Sequence, residues 1–69
     1  MKVKVIARKF EMTNSQRLYV YVSGGGLTDG MHSFSKNAVK EMLEENAPIM
    51  NRTVKSIEVT DGRMIVTAV

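Results

Sequence analysis

Asp29, His32, Ser33 and Ser35 fall within one seven-residue stretch of this chain. On paper they are the parts of a nucleophilic site: a hydroxyl, an imidazole base and a carboxylate to orient it. A small hydrolase or transferase built on residues 24–35 is therefore one reading. Against it, all of these residues are read as belonging to one loop, and Ser33 and Ser35 have a simpler role as helix caps. A chain of 69 residues also offers little depth for a cleft. The expectation is that the protein is not an enzyme.

Gly24-Gly25-Gly26, with Gly30 four residues on, raises a second chemistry. Glycine-rich turns ahead of a helix can present backbone amides to phosphate. This run matches neither the dinucleotide fingerprint nor the phosphate-loop pattern, which needs Lys-Ser/Thr directly after its last glycine. The simpler account is a connection.

Lys36 and Lys40 open a predicted helix, and Glu44 and Glu45 close it, opposing the helix macrodipole. Lys36 and Lys40 are candidates for an anion-receptive helix start. Lys40 and Glu44 also have the spacing of an i,i+4 pair. No cysteine is present and His32 is the only histidine, so no zinc site is expected. The acidic residues form no metal-binding pattern, and no cofactor is expected.

The strongest pattern is a division of faces. In residues 17–22, Leu18, Val20 and Val22 alternate with Arg17, Tyr19 and Tyr21. In residues 2–8, Val3, Val5 and Ala7 alternate with Lys2, Lys4, Ile6 and Arg8. A strand sends successive side chains to opposite faces, so each segment has one aliphatic face and one basic or aromatic face. Paired, they make a core on one side. The other side shows cations around two tyrosines. Aromatic rings on a sheet stack bases while nearby cations hold phosphates. The same apolar area also suits a protein contact. Lys4, Arg8, Arg17, Tyr19, Tyr21 and Arg63 are the expected contact residues, for nucleic acid or a protein partner. The glycine and aromatic signature of RNA-binding sheets is absent.

These residues need a scaffold. Residues 2–10 read as a strand and 17–23 as its hairpin partner across polar residues 11–16. Residues 24–35 read as loop. Ser35 is the expected N-cap of a helix over residues 36–46, with Phe34 and Val39 as a hydrophobic staple. Pro48 stops that helix. Residues 54–60 and 63–69 read as strands joined by Asp61-Gly62, a strong two-residue hairpin signal. That turn sets Val59 opposite Met64, Ile57 opposite Val66, Glu58 opposite Ile65 and Ser56 opposite Thr67. The expected architecture is α+β, in the order ββαββ: a four-stranded, mainly antiparallel sheet with one helix packed on one face. The expected core is Val3, Val5, Leu18, Val20, Val22, Val39, Met42, Leu43, Ile57, Val59, Met64 and Val66. Met12, Met31 and Met50 fall in predicted loops, where they would serve an adaptable contact surface.

Residues 1–69 are read as one domain. A chain this short buries only about 60% of its unfolded surface. It also lacks disulfides, the common staple of small scaffolds. Assembly into a homodimer or larger oligomer is expected, through the uncovered sheet face or through an edge strand. One reading is a structural or accessory homo-oligomer in which that face is the subunit interface. The net charge of +3 favours anionic partners only weakly. No apolar run approaches the roughly 20 residues that span a bilayer, and no secretory signal core is seen. A cytoplasmic, membrane-free protein is the default expectation.

Overall fold

The computed structural model describes every residue except Thr28, so the loop reading at Thr28 lies outside the described residues. The elements are α1 (Val3–Lys9), β1 (Arg17–Val22), β2 (Gly30–Ser35), α2 (Lys36–Glu45), β3 (Val54–Thr60) and β4 (Arg63–Ala68), with a 3-10 turn at Pro48–Asn51 before β3. The four strands form one mixed sheet in the order β2-β1-β4-β3. β1 pairs antiparallel with β2, β3 antiparallel with β4, and the central β1–β4 pair is parallel. The α+β class holds. The order is αββαββ, with two helices where one was expected.

The first correction concerns residues 2–10, read as a strand, in which Val3–Lys9 form the helix α1. The same apolar residues satisfy two periods. Val3, Val5 and Ala7 alternate, but Val3, Ile6, Ala7 and Phe10 follow i, i+3, i+4, i+7. The helical set is the one used: Val3, Ile6 and Ala7 are buried, whereas Val5 is half-buried. Arg8 and Lys9 in its last turn suit the negative end of the helix dipole. Seven residues rich in β-branched side chains are too few for a helix to stand alone, so packing sustains it. Its start is tied down by backbone bonds, Val3 N–H to the Arg52 carbonyl at 3.0 Å and Val54 N–H to the Met1 carbonyl at 2.7 Å.

The second correction is that Gly30–Ser35 form β2, an edge strand antiparallel to β1. The fourth strand of the sheet is therefore β2, and residues 17–22 find their hairpin partner after them in the chain instead of before.

Other local expectations hold. The Ser35 hydroxyl accepts from the Ala38 amide at 3.2 Å and caps α2, and Asn46 ends that helix in the left-handed region. The β3–β4 register places Val59 opposite Met64, Ile57 opposite Val66, Glu58 opposite Ile65 and Ser56 opposite Thr67. A bulge at Lys55 shifts it between Val54 and Ser56.

The core lies on one side of the sheet. Leu18, Val20 and Val22 of β1 and Val66 and Ala68 of β4 pack with Val3, Ile6 and Ala7 of α1 and Val39 of α2. Val5, Met42, Leu43 and Met64, expected in the core, are half-buried. Ile57 and Val59 are corrections: they remain 46% and 71% exposed. β3 is one of the two edge strands, and the helices leave its inward side chains largely open. Met12 and Met50 correct the methionine reading, because both are buried in the core. Among the described residues, no helix is long and apolar enough to cross a membrane.

Candidate functional site

The alternation in β1 that buries Leu18, Val20 and Val22 turns Arg17, Tyr19 and Tyr21 to the opposite face of the sheet. The pairing then builds rows across that face. One row runs Ser33, Tyr19, Ile65, Glu58, and the next runs Met31, Tyr21, Thr67, Ser56. The tyrosines stand on a central strand. Tyr19 is half-buried among its neighbours, while Tyr21 and Met31, directly paired, are 43% and 52% exposed.

Two arginines frame the tyrosines. The Arg63 guanidinium carbon lies 5.6 Å from the centroid of the Tyr19 ring, a cation–π contact. Arg17 donates through Nε to the Ser33 hydroxyl at 2.5 Å and through Nη2 to the Ser33 carbonyl at 3.1 Å. These contacts hold long side chains against the sheet and reduce the order that a partner would otherwise have to impose.

Arg17, Tyr19, Tyr21 and Arg63 thus share one face. Lys4 and Arg8 do not, because they stand on α1, whose apolar stripe packs on the other side of the sheet. Met31, read as a loop contact residue, belongs to the face as part of a strand, and Ser33 joins it without having been expected there. Their signal was the alternation of Met31, Ser33 and Ser35 with His32 and Phe34, obscured by the glycines before it.

Arg8 instead lines an open groove between α1 and α2, together with Lys36 and Lys40. This groove, of about 880 Å³, also holds Glu11 and Glu44, so its cations are offset by carboxylates.

The serine, histidine and aspartate set is dispersed. His32 and Ser33 are neighbours on β2 and point to opposite faces. His32 is half-buried, with its ring stacked on Phe34 at 6.0 Å. Ser35 is occupied as the cap of α2. The Asp29 carboxylate accepts from the amides of Gly24, Gly25 and Gly26 at 3.1, 2.8 and 3.1 Å. The Gly24 amide foremost, then those of Gly25 and Gly26, holds its carboxyl below the ordinary value, and the Arg52 guanidinium adds to this. The glycine amides are therefore engaged by this chain's own carboxylate. No group of three or more potential metal ligands occurs among the described residues.

Compared with family models, curated proteins and solved structures, the chain has no match in any of the three.

Proposed function

We propose that this chain is a non-enzymatic binding protein, that its contact surface is the outer sheet face, and that its partner is a protein. The observation that carries this is the exposed Tyr21–Met31 pair beside the Arg63–Tyr19 stack on a face that no helix covers. Tyrosine, methionine and arginine are the side chains enriched at interface centres, and tyrosine and arginine dominate binding energy there. Ser33, Ser56, Glu58 and Thr60 supply a polar surround of the kind that rims such contacts.

Nucleic acid is less well served by the same face. Its cations are Arg17 and Arg63, and the carboxylate of Glu58 stands on the same face. Lys4 and Arg8, which would have strengthened a phosphate-binding surface, stand on α1.

A salt titration separates the two. Labelled single-stranded and duplex DNA and RNA are expected to show no binding at low salt. Binding that falls steeply with salt, through counterion release, would assign the face to nucleic acid instead. A protein recovered by the wild type and by a Lys40→Ala variant, but not by Tyr21→Ala, is the expected positive result. Equal recovery by Tyr21→Ala would remove the outer face from the function.

A further inference from the structure

We propose that β3 is a self-association edge: two copies of this chain pair their β3 strands antiparallel about a two-fold axis at Ile57. The axis stands perpendicular to the sheet.

The starting observation is the phase of the backbone. Thr60 and Arg63 flank the two-residue turn Asp61-Gly62, whose residues both have positive φ, 50° and 73°. The pair flanking such a turn exchanges hydrogen bonds, and hydrogen-bonded and non-bonded pairs alternate along the ladder. Thr60, Glu58 and Ser56 therefore direct their N–H and C=O groups toward β4. Ile57 and Val59 direct theirs to the free edge. That edge is the outer border of the sheet; its Val54 end is taken by the Met1 carbonyl, and the groups of Ile57 and Val59 beyond it are a template for a further strand.

The side chains of the same two residues supply the second observation. Ile57 and Val59 lie on the helix-covered side of the sheet but are left largely open by the helices, 46% and 71% exposed. Ile57 also borders a largely apolar groove of about 280 Å³ with Met1, Val5, Ile6, Phe10, Met64 and Lys9. A strand added at this edge would lay its own side chains beside them.

The charges select both the occupant and the register. With the axis at Ile57, Ile57 faces Ile57 of the second copy, Ser56 faces Glu58, and Lys55 faces Val59. No like charges meet. With the axis one residue on, Glu58 would face Glu58 in a non-hydrogen-bonded pair, where side chains come closest. A one-residue slip between the strands would put the aliphatic side chains opposite the wrong face. The Ile57 register is thus self-complementary in hydrogen bonds, apolar contact and charge. The Lys55 bulge lies at one end of the paired stretch and limits its length.

Such a dimer joins two four-stranded sheets into one of eight strands. A two-fold perpendicular to the sheet leaves both outer faces on the same side. The Tyr19 and Tyr21 surface of each copy stays open, so self-association through β3 and partner binding through the outer face are separate events.

The test uses sedimentation and a cross-link. The wild type is expected to sediment at twice the 7.7 kDa chain mass at micromolar concentration. Ile57→Lys places two ammonium groups face to face across the axis and is expected to give the single-chain mass with an unchanged circular dichroism spectrum. Ile57→Cys is the second arm, since the natural chain has no cysteine to compete. Hydrogen-bonded antiparallel pairs have Cα atoms about 5.5 Å apart, within the roughly 4.4–6.8 Å that a disulfide spans. Mild oxidation should link Ile57→Cys chains into dimers and leave Tyr21→Cys chains unlinked. A monomeric wild type, a dimer that survives Ile57→Lys, or linkage through Tyr21→Cys alone would overturn the proposal.

Discussion

The Arg63 guanidinium sits over the ring of Tyr19, 5.6 Å from its centroid, on the open face of the sheet. The two residues are not direct cross-strand partners, because Tyr19 pairs with Ile65. Arg63 reaches diagonally along β4 to cover the ring. An exposed contact of this kind contributes about 0.5–1 kcal/mol. A double-mutant cycle of Arg63→Ala and Tyr19→Leu, followed by urea denaturation, should return a coupling of that size. Additive effects would show that the stack contributes nothing measurable.

Helix α1 makes a prediction that a strand would reverse. Ile6 is buried and Val5 only half-buried. Ile6→Ala should cost about 2 kcal/mol or more, as buried aliphatic truncations do. Val5→Ala should cost clearly less, since it removes a less buried group and introduces a better helix former. The alternation of a strand would give the opposite ranking. Thermal denaturation of the two variants decides between them.

Asp29 makes the loop sensitive to acid. Its folded pKa is lowered, chiefly by the amide of Gly24 and then by those of Gly25 and Gly26. A carboxyl with a depressed folded pKa stabilises the fold above its unfolded pKa and loses that contribution as pH falls through the folded value. The stability gap between the wild type and Asp29→Ala should be constant near neutral pH and shrink on acidification below the ordinary carboxylate range. A gap that widens in acid would contradict the amide cradle.

The cap of α2 is the fourth test. The Ser35 hydroxyl satisfies the Ala38 amide. Ser35→Ala should lower stability by roughly 1 kcal/mol, and Ser35→Asp should retain most of it. Equal loss in both variants would mean that Ser35 acts through packing instead.

Legibility in the sequence followed how local each signal was. The β3–β4 hairpin is readable because Asp61-Gly62 fixes its turn, and the turn fixes every pair behind it. The start of α2 is readable from Ser35. The face division of β1 is readable because Leu18, Val20 and Val22 fit only one period. Residues 3–10 fit two, and no local rule separates them. The choice is made by Met50 and the strands beneath, which accept Val3, Ile6 and Ala7 as a helical stripe. β2 is obscured by the glycines before it, and with it the place of Met31 and Ser33 on the outer face. Ile57 and Val59 alternate as core residues do. Their exposure follows from strand order, which depends on how two hairpins meet and which neither hairpin encodes.

The parallel seam between β1 and β4 has a consequence for how this chain folds. Each hairpin closes over a short loop and can form early. The seam joins Tyr19 to Ile65 and Val22 to Ala68, partners from opposite ends of the sequence. Contacts this distant slow the search, because loop closure must precede them. Helix α1 has too few residues to persist before the surface it packs on exists. The late event is therefore the meeting of two ready-made hairpins, with the first residues of the chain condensing last. Until then the inner edges of β1 and β4 lie open, and intermolecular pairing competes there with correct closure.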